Sequence, residues 1–178
     1  MRKVSLVIIG AGPAGLAAAA EARRRGVPDV LVLERNDRVG GILNQCIHDG
    51  FGVERFSEAL TGPEYVARFR REACAPGVEI LCSAMVTAIT PERRVTFVAR
   101  GGQQTVQAGA VLLATHNPEH AFRLATDVLV LREGGVLAFG PAAETLTEEL
   151  LREIYRIPLT VADIPVPGGS VKGCVYDA

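Results

Sequence analysis

The chain carries almost no net charge. Its 19 Lys and Arg against 20 Asp and Glu leave −1 at pH 7, so no electrostatic footprint points to nucleic acid or to an acidic membrane surface. It has no long apolar run: nothing approaches the ~20 residues that a bilayer-spanning helix needs, and direct membrane insertion is not expected. Cysteine is sparse. Cys46, Cys74, Cys82 and Cys174 form no C-x-x-C pair and no zinc-like spacing, which argues against a dithiol relay and a metal site. It fits reduced thiols in a cytoplasmic protein.

What the chain does have is apolar residues in quantity. It is 178 residues long, 48% hydrophobic and 22% charged, too apolar for disorder and long enough for one domain with a core, or for a small domain plus an appendage. The opening, "MRKVSLVIIGAGPAGLAAAAEA", has the basic start, apolar stretch and small residues of a signal peptide. Its glycines have a better explanation.

"VSLVIIG" is a β-branched and aliphatic run, as in a strand buried on both faces of a parallel sheet. Gly10, Gly12 and Gly15 follow at G-x-G-x-x-G spacing, and "LAAAAEARRRG" reads as a helix ended by Gly26. Gly10 makes the tight turn, Gly12 lets a pyrophosphate approach the backbone, and Gly15 lets the helix pack on the sheet. The helix N-terminus then offers free N–H groups and partial positive charge to phosphates. "VLVLE" supplies a second buried strand ending in Glu34, 24 residues after Gly10, where a carboxylate accepts from ribose hydroxyls and repels a 2′-phosphate. The pattern predicts an adenine dinucleotide as partner. The competing reading is a glycine-rich turn followed by a surface Glu.

"VIIGAGPAGLAAA" followed by "LERNDRVGG" resembles the FAD-binding start of the pyridine-nucleotide-disulphide-reductase-like flavoproteins. "GGILNQCIHDGFG" and "LTGPEYVARF" are similar, more narrowly, to NAD(P)/FAD-dependent oxidoreductases. The resemblance covers residues 4–115. It implies FAD as cofactor, with Gly10, Gly12, Pro13, Ala14 and Gly15 at the pyrophosphate and Glu34 at the adenosine ribose. It further implies Arg38, Gly40 and Gly41 near the phosphates, Thr115 closing the cofactor domain, and NAD(P)H as electron donor. The family's redox cysteine pair is missing. Cys46 stands alone, and Cys46 and His48, expected near the flavin edge, are the candidate catalytic residues; packing is the alternative role for both.

In the middle of the chain, Thr61 and Glu64 form a capping box with Pro63 in the first helical turn, and Pro76-Gly77 follows the helix. The arginines from Arg68 to Arg71 read as a solvated helix face. "VEILCS" is a strand. "MVTAITPE", "RRVTFVAR" and "QQTVQAG" read as a three-stranded β-meander inserted between parallel strands, after which "AVLLAT" returns to the main sheet.

At His116 the idiom changes. The flavoprotein pattern has "ATG" here, whereas "LLATHNPEHAFRLATDVLVLREGGVLAFGPAAETLTEELLREIYRI" resembles the C-terminal part of ABC transporter ATPases of iron-siderophore and cobalamin importers, over residues 111–162. His116 matches their switch histidine. Asn117 can cap a helix with Pro118 first, "DVLVLREGGVLAFG" is a hairpin turning at Gly134-Gly135, and Thr147 caps a helix opening on Glu148 and Glu149. The chain has no Gly-Lys-Ser/Thr and no strand ending in Asp-Glu, so ATP with magnesium is not expected and His116 reads as structural. "IPLTVADIPVPGGSVKGCVYDA" reads as one or two edge strands or a frayed tail, with Cys174 inert.

The fold expected is α/β: a Rossmann-like open parallel sheet over residues 1–115 with the meander, then an α+β appendage over 116–178 packed on or extending the same sheet. The chain looks like a flavoprotein N-terminus joined to an ABC-ATPase C-terminus inside a shared strand. It has no second G-x-G-x-x-G and too little sequence after residue 115 for another βαβ unit plus a flavin-closing segment, so turnover is expected to be poor unless a partner oxidoreductase subunit completes the site. The alternatives are a non-catalytic nucleotide-binding module, an ABC importer component, and a chimera that folds only in part.

Overall fold

The computed structural model describes residues 1–166 and 168–176. The chain divides into two compact units, Met1–Ala114 and Thr115–Ala178. Pro167, Asp177 and Ala178, which belong to the expected terminal strands, lie outside the described residues.

The first unit begins with β1 (Arg2–Ile9), α1 (Pro13–Arg24) and β2 (Val30–Leu33). β1 and β2 pair in parallel, Leu6 opposite Val30 through Ile9 opposite Leu33, and all four β2 residues are buried, as the unbroken apolar run requires. α1 stops in a Schellman arrangement: the Gly26 N–H donates to the Arg23 carbonyl and the Val27 N–H to that of Ala22, at 2.9 and 3.0 Å, with Gly26 at φ +85°. A 3₁₀ turn (Gly41–Gln45), the short α2 (Val53–Phe56) and α3 (Gly62–Ala73) lead to β3 (Val78–Leu81). The Thr61 capping box forms as expected, with both reciprocal bonds present.

β4 (Met85–Ile89), β5 (Arg94–Ala99) and β6 (Gly102–Leu113) complete one six-stranded sheet in the order β3-β2-β1-β6-β5-β4. The Rossmann-like α/β sheet and the three-stranded meander are therefore present. Two details differ from expectation. The third meander strand and the returning strand are one: β6 runs for 12 residues, antiparallel to β5 along its first half and parallel to β1 from Val106 to Leu113. The meander accordingly lies at one edge of the sheet, because β6 itself occupies the place beside β1. One core lies under the helices, with Ile8, Leu16, Val32, Val66 and Phe69. The other lies on the opposite face, with Val7, Leu31, Leu33, Val95 and Phe97, so the alternation of β1 and β2 feeds both faces.

The second unit holds α4 (Pro118–Leu124), β7 (Asp127–Arg132), β8 (Gly135–Pro141), α5 (Ala142–Thr145), α6 (Glu148–Tyr155), β9 (Leu159–Val166) and β10 (Gly169–Tyr176). Its core is Ala142, Leu146, Leu151, Leu159 and Cys174. Asn117 and Thr147 cap α4 and α6 as expected, accepting from Glu119 N–H at 2.9 Å and Leu150 N–H at 3.2 Å. Among the described residues, β7 pairs with β8 and β9 with β10 in two separate two-stranded sheets. Of the two readings of residues 157–178, strands rather than a frayed tail form: β9 and β10 make a ladder from Gly169 opposite Val166 to Tyr176 opposite Leu159. The first hairpin turns at Glu133-Gly134, one residue before the expected pair, since Arg132 is opposite Gly135. Both turn residues have positive φ, 51° and 78°, the signature of a type I′ turn. Among the described residues, no helix is long and apolar enough to cross a membrane.

Candidate functional site

The sequence-predicted glycine loop sits where β1 ends, at the C-terminal edge of the parallel strands, the place where open α/β sheets bind ligands. Gly10 leaves the strand at φ +98°, a conformation that disfavours any side chain. At Gly15 a Cβ would fall on the Gly10 carbonyl oxygen, so the first turn of α1 packs directly on the loop that precedes it. Around Gly12 a Cβ would meet nothing within 4 Å. The loop is open to a ligand at that point.

No hydrogen bond among the described residues uses the N–H groups of Gly12, Ala14 or Gly15. Pro13 has no N–H to offer and pre-sets the helical φ. Three backbone donors thus stand free at the N-terminus of a 12-residue helix, with the partial positive charge that such a terminus carries.

Glu34 follows β2 and is 5% exposed. Its Oε2 accepts the Ala11 N–H at 2.8 Å and its Oε1 accepts the Asn36 N–H at 2.9 Å. A buried carboxylate holding two backbone donors is fixed in place, and each oxygen keeps a further lone pair for an outside donor. The reading of Glu34 as a surface residue is thereby excluded. The Ala11 peptide is gripped at both ends, since its carbonyl accepts the Gly40 N–H at 2.7 Å.

The second glycine pair closes against the first. Gly40 stands at φ +114° and Gly41 at +53°, and a Cβ on Gly41 would lie 3.5 Å from the Gly12 Cα. Gly10, Gly12, Pro13, Ala14, Gly15, Glu34, Gly40 and Gly41 are brought together. Arg38 is exposed and pairs with Asp37 at 3.3 Å. Thr115 falls in the second unit, where its hydroxyl accepts the Asn117 N–H at 3.0 Å and lies 3.1 Å from His120 Nδ1.

Cys46 is half-buried, its Sγ 3.6 Å from the Ile42 carbonyl. His48 is exposed and lies against Phe51, ring centroids 5.2 Å apart. The hydrogen bonds found for the two side chains among the described residues go to backbone carbonyls, Cys46 to Ile42 and His48 Nδ1 to Asp49 at 3.1 Å. His116 gives its carbonyl to the Tyr155 hydroxyl at 2.6 Å, a bond within the second unit. Two concavities of about 300 and 350 Å³ also lie in that unit, lined by Arg132 and Glu153 in one and by His116, Glu119, Tyr155 and Tyr176 in the other. The free N–H groups gathered at the glycine loop, rather than cavity volume, mark the site.

Sequence reasoning missed Ala11, Asn36 and Cys82. The first two act through main-chain groups, which no side-chain pattern reveals. Cys82 follows β3, whose Leu81 is opposite Leu33 of β2, so it stands beside Glu34. Burial, then the Glu34 carboxylate, push its thiol above the ordinary cysteine value. The parallel register of two neighbouring strands was the signal that could have found it.

The NAD(P)-binding Rossmann-like domain family model matches residues 8–73. The chain is 52% identical over 52 residues, 29% of its length and 10% of the relative, to the glutamate synthase [NADPH] small chain of Azospirillum brasilense. It is 32% identical over 120 residues, 67% of its length and 41% of the relative, to the hemin import ATP-binding protein HmuV of Rhodococcus jostii (strain RHA1). That second similarity is longer than the whole second unit. The chain spans less than half the length of these curated relatives. Among solved structures, the L-proline dehydrogenase from P. horikoshii superposes with a TM-score of 0.55 at 23% identity, over 65% of this chain and 23% of that one, a likeness of fold.

Proposed function

We propose that the first unit binds the ADP half of FAD, as the cofactor-binding part of an NAD(P)H-using oxidoreductase. The arrangement of Glu34, Ala11 and Gly12 carries this reading. A fixed carboxylate for ribose hydroxyls stands beside an open glycine whose neighbours offer free N–H groups to a diphosphate. With FAD bound, Ala14 and Gly15 N–H would hold phosphate oxygens and Glu34 would accept from the adenosine ribose. The ring half would run past Ile42 and Ile47, 65% and 83% exposed, toward Cys46 and His48. FAD would supply the hydride chemistry. These residues would bind and orient it, and a partner oxidoreductase subunit would cover the ring.

The expected result of desalting the purified protein after soaking in FAD is a retained flavin spectrum at one equivalent. Bleaching by NAD(P)H without oxygen would add the electron donor. A colourless protein after the soak overturns the FAD assignment. The likeness to import ATP-binding proteins does not supply a second nucleotide site, because the sequence contains no Gly-Lys pair to hold a γ-phosphate.

A further inference from the structure

We propose that the first turn of α3, remote in sequence from both glycine loops, positions the diphosphate subsite through Gly62 and Val66. The inference rests on the dinucleotide reading above and adds to it the residues that hold the second loop in register with the first.

The contacts form a continuous chain. Gly62 is buried at the first helical position of α3 and donates its N–H to the Cys46 carbonyl at 2.8 Å. A Cβ there would fall on the Leu43 carbonyl oxygen and lie 2.7 Å from that of Cys46, so the helix presses on the 3₁₀ turn with no room for a methyl group. One turn later Val66, 5% exposed, sits under Gly40, where a Cβ would lie 2.8 Å from both Val66 methyls. The Asn44 amide donates to the Val39 carbonyl at 2.8 Å and ties the two ends of this turn together. The turn is thereby fixed on its outer side by α3 and on its inner side by the Gly40 N–H to the Ala11 carbonyl.

What α3 controls is the separation of Gly41 from Gly12. Glu34 holds the Ala11 and Asn36 N–H groups directly and meets the brace only through the Ala11 carbonyl, which accepts the Gly40 N–H. A disturbance at Gly62 or Val66 therefore acts on the diphosphate and leaves the adenosine end in place. Gly62 and Val66 are positioning residues: neither reaches the ligand. The underlying physics is pre-organisation, in which donors held at the right spacing before binding lose little on ordering.

The test compares adenosine with ADP on the full chain, by calorimetric or fluorescence titration of wild type, Gly62→Ala and Val66→Ala. The expected result is that both variants bind ADP about 10- to 100-fold more weakly, the worth of one charge-assisted N–H bond to phosphate, with adenosine affinity within about twofold of wild type. Val66→Ala introduces no clash, and it decides the matter where Gly62→Ala fails to fold. Thr61→Ala weakens the same helix at its cap while leaving Gly62 and Val66 in place, and it should not change the ADP-to-adenosine ratio. An unchanged ratio in Val66→Ala, or equal losses for both ligands in step with a lower melting temperature, overturns the proposal. Wild-type protein that binds neither ligand instead overturns the dinucleotide reading on which it rests.

Discussion

At Gly15 the absence of a side chain is a packing requirement, because the space a methyl group would take is occupied by the Gly10 carbonyl. Gly15→Ala should therefore destabilise the first unit by about 1–3 kcal/mol, the usual range for overpacking, read as a lower midpoint in urea at unchanged slope. Glu34 carries a different load. Replacing it by Gln leaves one of the Ala11 and Asn36 N–H groups facing an amide that cannot accept, at a cost of about 1–3 kcal/mol. The same change should weaken FAD at least tenfold, since the buried carboxylate is lost to the ribose as well. A Glu34→Gln protein with wild-type stability and wild-type FAD affinity would contradict the site. Both residues were readable from spacing alone, because their roles follow from a local strand–turn–helix geometry. The double grip on Ala11 was not readable, since it joins the Glu34 side chain and the Gly40 N–H, from two separate segments, to the main chain of a third.

Elements here are stopped and started by short-range chemistry, and each has its own test. Thr61→Ala removes the acceptor for the Glu64 N–H and should cost about 1 kcal/mol, a typical N-cap value, seen first as faster amide exchange in the first turn of α3. Glu133 occupies a left-handed position in the β7–β8 turn, which Asn adopts more readily. Its ion pairs with the half-buried Arg132 and the exposed Arg156, at 3.5 and 3.8 Å from its own exposed carboxylate, are too weak and screened to offset that. Glu133→Asn should stabilise the hairpin by about 0.5–1 kcal/mol, measured as slower exchange across β7 and β8. In α1, hydrogen bonds from Arg24 and then Arg25 lower the Glu21 carboxyl from 4.5 to about 2. A carboxyl depressed on folding stabilises above its unfolded value and loses that contribution as pH falls through the folded one. The small stability difference between wild type and Glu21→Gln should thus persist at neutral pH and disappear as the pH drops from 4.5 toward 2; salt should shrink it throughout, because the group is fully exposed.

On the scale of the whole molecule the chain is two compact units, and a ligand that binds the folded first unit must stabilise it by linkage. ADP at 100 times its dissociation constant should add about 2.7 kcal/mol, with increased amide protection at residues 10–15 and 40–46; no shift at saturating ADP would remove the ligand from the account. The sequence by itself determined the elements whose signals are local. These are the buried strands, the glycine loop, the acid after the second strand, the capping box and N-caps, and the helix stop at Gly26, each complete within a few residues of chain. Tertiary structure decided the rest, for the reason that pairing partners are chosen over long sequence distances. β6 became one strand because β1 and β5 flank it together, and the last strands paired with each other because each offered the other a full-length edge. The hairpin turned one residue early because register, not the glycine pair, set its loop. The contact of α3 with the second glycine loop belongs to this class as well: Val66 and Gly40 meet only once helix and sheet have closed on a shared core.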